Sequence, residues 1–107
     1  MDSIQTITAS DFEAKVLEAS GPVLLDFYQA TCPPCRVLEP RLERIARQYV
    51  GRVQIYRIDV ERDLSIATRL GVKSIPTIMV FRDGKERERL DGLITREQLR
   101  AAFERAA

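Results

Sequence analysis

The chain has no histidine and only two cysteines among its 107 residues. A closed zinc site takes four ligands, commonly Cys and His, so one copy of this chain lacks the ligands for the usual site. No apolar run approaches the roughly 20 residues needed to cross a bilayer. Met1–Ser10 is polar and mixed, without the apolar centre of a secretion signal. The expected compartment is therefore cytoplasmic, with no membrane association. Neither sign of charge dominates: 17 Lys and Arg stand against 16 Asp and Glu, a net charge of +1. Such balance gives no long-range field for nucleic acid or an acidic membrane. A phosphate loop, an internal repeat and a linker are also lacking. What is present is an ordinary globular balance, 45% hydrophobic and 31% charged, at a length that suits one domain over residues 1–107.

The elements read clearly. The N-terminus is strand-like. Ser10-Asp11-Phe12-Glu13 has the spacing of a capping box, and Phe12, Val16 and Leu17 continue a helix to about Ala19. Val23–Tyr28 is almost continuously apolar, as in a central strand covered on both faces. Leu38, Leu42, Ile45 and Tyr49 recur at helical spacing after Cys35, with Pro40 expected to kink that helix. Val53–Ile58 suggests a strand, 62–70 a short helix ending at Gly71, and Ile75–Phe81 another strand. Asp83-Gly84 is a two-residue hairpin signal leading to a strand near Glu86–Leu90. Thr95-Arg96-Glu97-Gln98 is a second capping box, opening a helix with Leu99 and Phe103 on one face. Strands alternating with helices imply parallel crossovers, and the closing hairpin makes the sheet mixed.

The two cysteines, Cys32 and Cys35, lie where the apolar strand gives way to the helix. Residues at i and i+3 of a helix have Cβ atoms about 5–6 Å apart, and a disulfide needs Cα atoms roughly 4.4–6.8 Å apart. The spacing permits a bridge within one turn. At a helix start, unpaired N–H groups and the dipole favour an anion, so Cys32 is the expected attacking thiolate and Cys35 the shielded, resolving thiol. A metal site shared between two copies and an inert pair are the competing readings. Pro33 and Pro34 suit a first helical turn, but each biases the residue before it toward extended geometry, here Cys32 and Pro33.

Taken together, Val23-Leu24-Leu25-Asp26-Phe27, Cys-Pro-Pro-Cys, Pro40, Ile75-Pro76-Thr77, Phe81-Arg82-Asp83-Gly84-Lys85 and Gly92 resemble the thioredoxin family from about Ser10 to Phe103. The resemblance implies that fold: an α/β domain with a central mixed five-stranded sheet flanked by four helices. It implies a protein-disulfide oxidoreductase, most readily a reductase, with no cofactor beyond a redox-active Cys32–Cys35 disulfide. It implies a cis Ile75-Pro76 peptide facing the cysteines, substrate contacts from Ile75, Pro76, Gly92 and Leu93, and Asp26 exchanging a proton with the resolving cysteine through water. Arg57 stands where the family has a lysine near that acid, and arginine stays charged at all relevant pH. Implied partners are disulfide-containing proteins and, as electron donor, a flavoprotein thioredoxin reductase; the chain is expected to be a monomer.

Three positions depart from the family pattern. The chain has no tryptophan, so Thr31 occupies the place just before the first cysteine where the family usually has one. Tyr28 stands at another position usual for tryptophan or another aromatic, and Pro33 replaces the commonest residue, glycine. These leave open a specialised oxidase or isomerase, or a binding or chaperone module that uses the same apolar rim without turnover.

Overall fold

In the computed structural model, which describes residues 4–106, the chain runs β1 (Gln5–Thr6), α1 (Ala9–Phe12), β2 (Val23–Tyr28), α2 (Pro33–Gln48), β3 (Gln54–Asp59), α3 (Ser65–Arg69), β4 (Thr77–Arg82), β5 (Lys85–Asp91) and α4 (Arg96–Ala106). Residues 1–3 and 107 of the expected 1–107 domain lie outside this description. The strands form one mixed sheet in the order β1-β3-β2-β4-β5. β2 runs parallel to β3 and antiparallel to β4, while β5 returns antiparallel beside β4. This is the five-stranded, helix-flanked α/β arrangement that the sequence implied.

The period-two alternation of β2 splits the core into two layers. Leu24 packs with Leu38, Leu42 and Ile45 of α2 and with Leu99 and Phe103 of α4. Val23, Leu25 and Phe27 point to the other side, against Phe12, Val16, Ile66 and Ala67. Burying each large side chain contributes roughly 1.5–3 kcal/mol, so both faces of the sheet are sealed. The same alternation places Asp26 beside Leu24, on the α2 side. In β3, Arg57 follows Ile55 onto that side, and the register sets Asp26 opposite Arg57. Two charges therefore meet beneath α2, in a layer otherwise built from aliphatic and aromatic groups.

Several boundaries differ from the sequence reading. The first helix is capped at Thr8, not Ser10: the Asp11 carboxylate accepts the Thr8 N–H at 3.2 Å, and the Ala9 N–H is taken by Asp63 at 2.7 Å. A distant carboxylate thus satisfies a donor that the helix start leaves open, and the helix begins earlier. α1 then widens into a π-helical turn over Glu13–Leu17, closed by Glu18 N–H to the Glu13 carbonyl at 2.9 Å. Helix α2 runs unbroken through Pro40. α3 is shorter than 62–70. The Thr95–Gln98 box is present in both directions, at 2.9 and 3.1 Å.

The β4–β5 turn has Asp83 at φ 55° and Gly84 at φ 75°, the two positive values that a tight hairpin requires. A Cβ on Gly84 would meet the Leu17 carbonyl oxygen at 2.9 Å, whereas one on Gly51, φ 80°, meets nothing within 4 Å. Leaving the left-handed region to a non-glycine residue costs about 1–2 kcal/mol. In urea denaturation, Gly51→Ala is expected to lose about that much, and Gly84→Ala measurably more. Equal losses would mean that the Leu17 contact contributes nothing.

Candidate active site

Cys32 is the N-cap of α2, in extended geometry (φ −89°, ψ 111°), as a residue before proline prefers. Pro33 and Pro34 follow as the first helical residues, where a missing N–H costs nothing. The bias of Pro34 toward an extended Pro33 is overridden: Pro33 is helical, and the Arg36 N–H reaches the Cys32 carbonyl at 3.2 Å. One turn is therefore closed around the pair. Cys32 and Cys35 form a disulfide with Cα atoms 5.2 Å apart. Cys32 is partly exposed, and Cys35 is buried. The Cys35 N–H donates to the Cys32 sulfur at 3.2 Å. With proline at both intervening positions, it is the first N–H of the turn able to do so.

The Ile75-Pro76 peptide is cis, and the Ile75 carbonyl oxygen lies 3.9 Å from the Cys32 sulfur. Gly92, at φ 78°, donates its N–H to the Pro76 carbonyl at 3.2 Å. The chain thus brings Ile75, Pro76 and Gly92 together beside the sulfurs. Leu93 follows and is exposed, as are Thr31, Pro33 and Pro34. No group of three Cys, His, Asp or Glu among the described residues is arranged to hold a metal.

Asp26 is fully buried. Its Oδ2 accepts from Arg57 Nε at 3.1 Å, while Oδ1 accepts no hydrogen bond among the described residues. Burial pushes this carboxyl up to about 6; Arg57, by its charge and hydrogen bond, pulls the other way, and the charge of Glu39 adds a further upward push. Desolvation therefore outweighs the arginine. Asp26 is still mostly ionised at pH 7, but it binds a proton far more readily than an exposed aspartate.

Two partners of Arg57 were not among the residues that the sequence pattern singled out for chemistry. Glu39 accepts from Arg57 Nη1 at 2.6 Å. The Tyr28 ring lies under the guanidinium, its centroid 3.7 Å from Cζ, an attraction worth about 0.5–2 kcal/mol. Glu39 had a signal: it stands four residues after Cys35, on the same helical face. An open crevice of about 180 Å³, lined by Tyr28, Cys35, Glu39 and Arg57 among others, leads to this group.

Known proteins resemble this chain over nearly all of its length. The thioredoxin family model matches residues 3–105. Thioredoxin 1 of Synechococcus elongatus is 35% identical over 92% of this chain and 92% of its own length. The thioredoxin of Pseudomonas aeruginosa is 35% identical, covering 95% of this chain and 94% of that one. The chloroplastic thioredoxin M4 of Arabidopsis thaliana is 31% identical over 95% of this chain, which spans only about half, 53%, of that longer protein.

The buried carboxyl makes stability depend on pH. Folded Asp26 holds its proton up to about pH 6, and an ordinary aspartate releases it near 3.8. Between these values the folded chain binds more protons than the unfolded one, so this group makes stability fall as pH rises. The penalty is absent below 3.8 and complete above 6, where it reaches about 3 kcal/mol at 1.36 kcal/mol per unit. Asp26→Asn is expected to stabilise the protein by about 2–3 kcal/mol at pH 8 and by almost nothing at pH 4, measured by denaturant unfolding. The same gain at both pH values would contradict a charge penalty at this site.

Proposed function

The chain belongs to the thioredoxin family, and from that membership and its apposed sulfurs we infer that it is a protein-disulfide reductase acting through Cys32 and Cys35. The observation that carries this reading is the Cys32–Cys35 disulfide closed within the first turn of α2, with the Cys35 N–H on the Cys32 sulfur.

The chemistry runs in two exchanges. In the reduced protein, the Cys32 thiolate is stabilised by the Cys35 N–H and the positive end of α2. It attacks one sulfur of a substrate disulfide; a mixed disulfide forms and one substrate thiolate leaves. The Cys35 thiol then gives its proton to Asp26 through water and attacks the Cys32 sulfur. The mixed disulfide breaks, the second substrate sulfur departs as a thiolate that takes its proton from solvent, and the protein is left oxidised. Two electrons have passed to the substrate. A carboxyl that titrates near 6 suits this task, because it accepts a proton at neutral pH and returns it readily to solvent.

Substrate proteins meet the rim formed by Ile75, Pro76, Gly92 and Leu93, where the Ile75 carbonyl beside Cys32 offers an acceptor to an extended segment. Thr31, Pro33 and Pro34 complete the exposed loop. With Thr31 in place of a large aromatic, this rim is less apolar and its range of partners is correspondingly shifted. A flavoprotein thioredoxin reductase restores the dithiol, the compartment is the cytoplasm, and residues 1–107 act as one monomeric domain. Arg57 supports the proton transfer by partly offsetting the cost of the buried carboxylate.

Insulin reduction with a chemical reductant tests the reading. Cys35→Ser is expected to lose turnover and accumulate a mixed disulfide on Cys32; a variant as active as wild type would show that exchange is not the activity and favour a binding role. Asp26→Asn is expected to slow turnover about tenfold while leaving mixed-disulfide formation intact. That is less than the usual 10²–10⁴ of general-base catalysis, because water and buffer can take the proton. A midpoint potential measured against glutathione separates a reductase from an oxidase.

A further inference from the structure

Glu39 has no part in the exchange steps above, yet it touches the group that controls Asp26. One guanidinium is divided between two carboxylates: Arg57 Nε to Asp26 at 3.1 Å and Arg57 Nη1 to Glu39 at 2.6 Å. Asp26 is fully buried, and Glu39 is 46% exposed. Tyr28 holds the guanidinium face from below. An arginine facing a single carboxylate commonly engages both oxygens with two parallel N–H donors. Here only Nε reaches Asp26, and among the described residues Oδ1 has no partner.

We propose that Glu39 is a positioning residue for the exchange reaction: it draws the Arg57 guanidinium toward solvent, so that Asp26 keeps one donor and an open Oδ1 that takes the proton leaving Cys35. This rests on the reading of Asp26 as the proton acceptor. The groups facing Asp26 support it. Arg57 bonds to Asp26 from β3 and the opposite residue of β4 is the uncharged Ile78, while Glu39 and Cys35 of α2 and Tyr28 of β2 line the crevice around Arg57. Arg36 of α2 is turned away, donating to the Ala30 carbonyl at 3.2 Å. The negative charge of Glu39 itself favours the protonated form of Asp26. Removing it withdraws that influence and releases the guanidinium to close on both oxygens. Asp26 then becomes a weaker base whose Oδ1 is no longer open.

The test is ¹³C NMR of the Asp26 carboxyl across pH in the oxidised protein, for wild type, Glu39→Gln and Glu39→Asp. It is paired with the rate at which Cys35 resolves the mixed disulfide formed when each reduced protein is mixed rapidly with a substrate disulfide. Glu39→Gln is expected to move the Asp26 midpoint to lower pH and slow resolution severalfold at neutral pH, with the attack by Cys32 unchanged. Glu39→Asp, which keeps the charge, is expected to recover part of both effects. An Asp26 midpoint that stays in place in Glu39→Gln overturns the proposal. In an Asp26→Asn background, Glu39→Gln is expected to slow resolution no further; an added slowing there would place the action of Glu39 elsewhere and also overturn it. If Asp26→Asn alone resolves as fast as wild type, the proton-acceptor reading fails, and the role of Glu39 in catalysis fails with it. That outcome differs from an unmoved midpoint.

Discussion

One backbone N–H, that of Cys35, points at the sulfur of Cys32 from 3.2 Å, and the chemistry of the molecule is arranged around that contact. It exists only because the first turn of α2 is wound tightly directly after an extended Cys32. That turn is held in place by the rest of its helix: Leu38, Leu42 and Ile45 sink into the layer beneath, so the sulfurs cannot shift without disturbing the core. The prolines suit this geometry. They remove two N–H groups that would compete for the sulfur, and they stiffen the loop that carries it.

Against this the fold accepts a cost. A buried carboxylate opposite Ile78, on the same face as Leu24, is a poor way to stabilise a sheet. The partial remedy is Arg57, supplied by the neighbouring strand at the matching register. A methionine or leucine at position 26 would pack into this layer without the electrostatic burden. The burden raises the carboxyl to about 6, so this layer holds a proton-binding group near neutrality on the side of the sheet that α2 covers. Stability is given up in the layer beneath the helix that carries the two cysteines, a relation common between active sites and their scaffolds.

Much of this was legible in the residues. The continuous apolar run of β2, the Asp83-Gly84 turn and the Thr95–Gln98 box each carry a local mechanism, and the structure realises each one. Asp26 stood out as an acid within an apolar strand. What escaped local reading depends on distant partners. The Thr8 cap follows from Asp63, which lies far along the chain and removes the need for a cap at Ser10. The helical Pro33 follows from closing the turn around the two cysteines, a requirement stronger than the steric bias of the next proline. The divided guanidinium needs three elements at once: the β2–β3 register, the side of β3 on which Arg57 emerges, and the height of α2 above the sheet. The expected closeness of Arg57 to Asp26 covered half of it, and for the other half only the four-residue spacing from Cys35 to Glu39 hinted at it.

The two borders of the sheet carry a final consequence. β1 contributes only two residues, and β5 presents Lys85, Glu86, Arg87, Glu88 and Arg89 in unbroken succession. A strand margin that brief, or that densely ionic, makes a poor template for another chain to add to. A disulfide oxidoreductase of this family must meet the backbones of other polypeptides, and margins of this kind keep its own sheet from being lengthened by them.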